Sequence, residues 1–167
     1  MKQRRLMTVL IGIVALALWC PVSSAMAAAS GFDSSYAGES AFLTVIPGQT
    51  YGFQVFFMNT GATTWRRNTV TQVNLTVCLD NKVTCNVPSP HADWNDGSWR
   101  SARVYATHAQ AQVLPGEIAA FSYQIKVPVG AMDGDYRFNG DLALATGQQI
   151  HPEGYYQEAG LHGDRLP

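Results

Sequence analysis

The chain has 167 residues, 47% of them hydrophobic and 14% charged, with a formal net charge of −1. That length suits one domain. The near-neutral balance, without a basic cluster, excludes the electrostatic footprint of a nucleic-acid binder, and no polybasic run points to a lipid surface.

Lys2, Arg4 and Arg5 precede an apolar run from Leu6 to Cys20, and Ala25-Met26-Ala27 follows it. A basic start, an apolar core short of a membrane span and an A-x-A site read as a secretory signal peptide over 1–27. Trp19 stands where lipid attachment at Cys20 would need a small residue. Of the eleven basic residues, three leave with the leader; eight then face twelve acidic ones, a balance of −4. The mature chain is expected to be secreted or held in the cell envelope, and to meet a membrane only through its export signal.

Residues 28–41 are small and polar and predict a flexible lead-in. Phe42 to Ile46 reads as a short strand. Pro47-Gly48 then opens a longer one, Thr50 to Met58, with Tyr51, Phe53, Val55 and Phe57 alternating on one face. Asn59-Thr60-Gly61 turns the chain and Trp65 follows, a large aromatic suited to a core position. Val70 to Leu79 alternates again. Cys78 and Cys85 flank a hairpin candidate whose symmetric pairing sets them opposite each other, so an exported chain is expected to join them in a disulfide.

Residues 91–112 form the longest irregular piece, with Trp94, Trp99, Arg100 and Arg103 among polar neighbours. A long loop of this composition predicts a contact face. Its rival is that both tryptophans fold back over an open sheet edge. A second Pro-Gly, at Pro115-Gly116, opens a strand from Ile118 to Val127. Tyr136 to Leu144 and Ile150 to Tyr156 complete about seven strands, with turn signals every ten or so residues, as a β-sandwich requires. Residues 159–167 are expected to fray.

These residues carry a resemblance. Pro47-Gly48, Asn59-Thr60-Gly61 with Trp65, Pro115-Gly116 with Phe121 and Val127-Pro128, Gly134-Asp135-Tyr136-Arg137-Phe138, and Gly147-Gln148-Gln149 follow one another in order. The series resembles the Ig-like FW ("four-tryptophan") domain, known from selective-autophagy receptors and from exported bacterial proteins. The resemblance implies an immunoglobulin-like antiparallel sandwich over 42–158, non-catalytic, with Asn59, Gly61 and Trp65 in structural roles. Only Trp65 clearly occupies a family tryptophan position; Val55 and Gly140 stand where others would.

No linear motif for catalysis or metal binding is present. His91, His108, His151 and His162 are scattered, and Asp93 with Asp96 lack the further oxygen ligands that calcium needs. Asp133, Asp135 and Asp141 sit at turns and strand edges without the pairing that glycoside chemistry uses. Asn74-Leu75-Thr76 is a glycosylation sequon inside a strand pattern. The sequence therefore predicts an exported, non-catalytic Ig-like module that uses no cofactor or metal. Its expected partner is a protein or cell surface at Trp94, Trp99, Arg100 and Arg103, with a cell-envelope polysaccharide as the alternative.

Overall fold

The structure, a computed structural model, describes residues 29–163. The expected leader and residues 164–167 of the expected tail lie outside the described residues. The strands are β1 (Ser34–Glu39), β2 (Leu43–Thr44), β3 (Thr50–Asn59), β4 (Trp65–Arg66), β5 (Val73–Val77), β6 (Val104–Thr107), β7 (Gln112–Val113), β8 (Ile118–Lys126), β9 (Gly134–Leu144) and β10 (Tyr155–Leu161). They form a three-stranded sheet in the order β1-β3-β8, a five-stranded sheet in the order β2-β10-β9-β5-β6, and a small β4-β7 pair. Only β2 and β10 run parallel among these pairings.

Alternation sets the core. In β3, Phe53, Val55 and Phe57 point inward between exposed or half-exposed neighbours; in β8 Ala119, Phe121, Tyr123 and Ile125 do the same. Register places Phe53 opposite Tyr123 and Val55 opposite Phe121, so the two apolar rows coincide on one face. That face meets the larger sheet: Phe53 lies 5.8 Å from Phe138 of β9, and Phe57 6.3 Å from Tyr155 of β10. Each fully buried phenylalanine contributes about 1.5–3 kcal/mol of burial. The two Pro-Gly turns enter β3 and β8 with Gly48 at φ +81° and Gly116 at φ +84°, a region that costs an L side chain strain.

β5 lies between β9 and β6, and all five of its residues are buried. Its polar members are paired: Thr76 Oγ1 donates to Asp141 O at 2.9 Å, and Asn74 Oδ1 accepts from Thr107 Oγ1 and Gln72 Nε2. At 9% exposure Asn74 is closed to a glycan in the folded state. At Gly140 of β9 a Cβ would meet Thr76 O at 3.1 Å and Leu75 Cδ1 at 3.2 Å. This position, where the resemblance sets a tryptophan, has no room for an indole.

Cys78 and Cys85 are joined in a disulfide, Cα atoms 3.9 Å apart, and pair as an antiparallel bridge. The bond points to an oxidising compartment. Among the described residues no helix is long and apolar enough to cross a membrane.

Three boundary expectations need correction. The lead-in is not flexible throughout, because β1 pairs with β3 over Ser34 to Glu39. Its own residues are too small to announce a strand; order comes from β3 and from Glu153, which accepts from Ser34 Oγ at 3.0 Å and from the Tyr36 amide. The tail does not fray at residue 159, since β10 runs to Leu161 with Ala159 and Leu161 buried. The 91–112 segment is not a free loop. It contains a 3-10 turn at Ala92–Trp94 and strand β6. It also seals the outer edge of β8: Trp99 Nε1 donates to Gln124 O at 2.6 Å, Gln124 N donates to Ser98 Oγ, and Ala109 N donates to Ala120 O. Covering a bare strand edge removes a template for aggregation.

Candidate functional site

β9 pairs with β5 only from Gly140 to Leu144, so its first half projects beyond the end of β5. The chain leaving β5 turns there into the disulfide hairpin. Cys78 N donates to Asn139 O at 2.9 Å, and Asn139 Nδ2 donates to Asp80 Oδ1 at 2.8 Å, fixing that carboxylate. Asn81 Oδ1 accepts from the Val83 and Thr84 amides and sets the hairpin tip, where Lys82 adopts φ +58°. Along β9 the period of two sends Tyr136 and Phe138 toward the core and leaves Asp135 and Arg137 exposed.

A cleft of about 490 Å³ results, lined by Asp80, Lys82, His91, Asp135, Arg137 and Asn139. His91 closes one wall, its ring 5.4 Å from Phe138, 5.6 Å from Tyr136 and 6.3 Å from Trp94. Burial against these rings lowers its proton affinity, and the charges of Asp93 and Asp80 oppose the shift in part. The imidazole is thus neutral at neutral pH and free to take a proton. Arg137 is shared with Glu158 at 3.0 Å, and Asp135 Oδ1 meets His162 Nε2 at 3.0 Å. The cleft holds a base, two cations and two carboxylates within the size range of small-molecule sites.

A second titratable group lies deeper. Asp141 of β9 is fully buried and accepts from Leu142 N at 2.7 Å, from Glu153 N at 3.0 Å and from the Gly154 amide. Burial outweighs those donors and pushes its pKa up to about 6. The folded state therefore prefers the protonated acid. The stabilisation is complete below the unfolded value near 4 and is lost as pH rises through 6. On acidification from pH 7.5 to pH 5, wild type should gain on the order of 1–2 kcal/mol relative to Asp141→Asn, measured by urea denaturation of both proteins. A constant difference between the two across that range contradicts the assignment.

The residues expected to form a contact face are placed otherwise. Trp94 and Trp99 are 2% and 6% exposed. Trp94 packs 4.3 Å from Tyr136, and Trp99 stands edge-on to Tyr105 at 4.8 Å. Both are core residues, because an indole gains far more from burial than the flanking polar residues lose. Arg100 and Arg103 remain exposed; Arg103 Nη1 donates to Asn86 O at 2.9 Å, tying its segment to the hairpin. Neither arginine lines the cleft. Trp65 is fully buried, opposite Val113 of β7. Asn59 is buried too: its side chain donates to Thr63 O and Val113 O and accepts from Gly61 N. A Cβ at Gly61 would lie 2.6 Å from Asp33 N. Among the described residues no group of three or more His, Cys, Asp or Glu side chains is placed to hold a metal ion.

The cleft residues escaped the sequence because no spacing joins them. The one available signal was the alternation of β9, which marks Asp135, Arg137 and Asn139 as a face distinct from Tyr136 and Phe138.

No protein-family profile matches the chain, and no curated protein matches it in sequence. Among solved structures it is similar to AvmM, described as catalysing macrocyclization in alchivemycin A biosynthesis, at 13% identity and TM-score 0.41, over 84% of this chain and 94% of that one. That description stands against the expectation of a non-catalytic binding module for protein, cell surface or polysaccharide, and the expectation is given up. Its warrant was the FW resemblance together with the lack of a linear motif, and a missing motif says nothing of groups that separate strands bring together. At this identity and TM-score the likeness assigns no reaction to the chain, and its chemistry rests on its own side chains.

Proposed function

We propose that the chain is a small acid–base catalyst of an oxidising compartment, acting in the cleft beside the disulfide hairpin on a small substrate that bears an anionic group. The observation that carries this reading is His91, an imidazole kept neutral by aromatic packing and set beside a carboxylate that Asn139 fixes. Lys82 and Arg137 attract the anion. His91 removes a proton or receives one from an attacking water, and Asp80 stabilises the imidazolium that forms. The facing antiparallel sheets support an Ig-like sandwich of the FW kind as the scaffold, and the paired cysteines support export by the leader over 1–27.

An activated ester carrying a carboxylate, 3-acetoxy-4-nitrobenzoate, tests the site. Wild type should hydrolyse it at least tenfold faster than His91→Asn, as loss of a general base implies. The rate should rise with pH and level off below the ordinary histidine range near 6.5. Lys82→Ala should raise KM with little change in kcat. Equal rates for wild type and a His91→Asn protein of unchanged Tm, with His151→Asn as control, would defeat the reading. Should His91→Asn fail to fold, His91→Gln takes its place.

A further inference from the structure

A second cavity, of about 280 Å³, lies between β1 and the start of β10, lined by Tyr36, Glu39, Glu153, Gly154, Tyr155 and Tyr156. It shares no lining residue with the cleft. Its size is that of roughly nine waters at ~30 Å³ each, too small for a folded partner and ample for a small organic molecule.

Three tyrosines and two carboxylates make this wall, and no cation belongs to it. The two carboxylates are held differently. Glu153 is held in place, accepting from Ser34 Oγ and the Tyr36 amide. Glu39 has the Tyr36 hydroxyl as its partner, and loss of water raises its proton affinity with no cation to offset it. The inner wall is packed against the core at Tyr155, while Tyr36 is 46% exposed. Tyr155 is 5% exposed, its hydroxyl 3.4 Å from that of buried Tyr123, and the Tyr36 ring stands edge-on to Phe57 at 6.0 Å. Tyr156 already meets two cations of the chain, Lys82 Nζ at 4.5 Å and Arg137 Cζ at 5.1 Å from its centroid. Among the described residues no cation stands over the rings of Tyr36 and Tyr155.

We propose that this cavity is a binding site for a small alkylammonium ion, whose charge pairs with Glu39 and whose carbons lie against Tyr36 and Tyr155. Aromatic rings attract cations through their negative faces, most strongly where water is excluded. Glu39 is partly desolvated and lacks a counter-charge, so its carboxylate gains from a cation beside it. Anions meet repulsion there, and a neutral molecule leaves the negative charge of the wall unbalanced.

Propylammonium and its uncharged counterpart propanol, titrated into the full chain and followed by amide NMR shifts, test the site. Propylammonium should shift the Glu39 and Gly154 amides saturably, and propanol should not. Glu39→Gln should weaken the ammonium affinity at least tenfold. Tyr36→Phe, which keeps the ring, should change it no more than about threefold, within what a cation–π contact leaves intact. Equal shifts from propanol, an unchanged affinity in Glu39→Gln, or no saturable shift with propylammonium each overturn the proposal. His91→Asn should leave this binding unaltered, which keeps the result independent of the cleft's chemistry.

Discussion

Trp94→Ala should cost about 3–5 kcal/mol of stability, the range for removing a large aromatic from a core. Such a loss takes up much of the 5–15 kcal/mol that holds a typical domain together. For a domain of this size it lowers Tm by roughly 10–20 °C. The indole is 2% exposed and packs against Tyr136, Phe138 and His91. Its removal opens a cavity beneath the cleft and frees the His91 ring as well. Trp94→Phe keeps most of the contact and should cost much less, while Arg100→Ala, at an exposed position, should stay within about 0.5 kcal/mol. Thermal denaturation of the three variants decides the matter. A Trp94→Ala protein melting within about 2 °C of wild type would return this residue to the surface role that its polar neighbours suggested.

The contrast explains what was legible in the sequence. Long strands with strict alternation announced themselves: Phe53, Val55 and Phe57 in β3, and Phe121 to Ile125 in β8, are buried where period two puts them. Each followed a Pro-Gly turn, whose glycine sits at positive φ. The cysteine pair was legible because its spacing fixes a hairpin register. β1 was not, because Ser34, Ser35 and Gly38 carry no pattern and the strand exists through its partners. Local polarity suggests exposure for Trp94 and Trp99, but the rival reading, folding back over an open sheet edge, holds for Trp99, which meets its partner at Gln124 on a distant strand. The cleft shows the same limit. Asp80, His91 and Arg137 come together only because β5 stops short of β9 and lets the hairpin in.

That hairpin makes the disulfide the other large lever, and its effect should be local before it is global. Closing a loop of about eight residues stabilises a fold by about 2–3 kcal/mol in the chain-entropy account. The Cys78→Ala/Cys85→Ala protein should therefore remain folded, with a circular-dichroism spectrum like that of wild type and a Tm lower by roughly 6–12 °C. The cleft should suffer more. Asp80 and Lys82 both lie within the closed loop, and without the covalent tie their positions depend on Asn81, on the Leu79–Thr84 backbone bond and on Asn139. Amide exchange over residues 79–84 should accelerate at least tenfold in this variant and in wild type reduced with a phosphine. Exchange in β3 and β8, remote from the hairpin, should rise only with the global loss of stability. Ester hydrolysis should fall by about as much as in Lys82→Ala combined with Asp80→Asn, since the same two groups lose their places. If exchange at 79–84 stays slow after reduction, the hydrogen bonds alone hold the hairpin and the covalent bond does not shape the cleft. If exchange accelerates and hydrolysis does not change, the hairpin takes no part in catalysis, and the base would have to work from His91 and β9 alone.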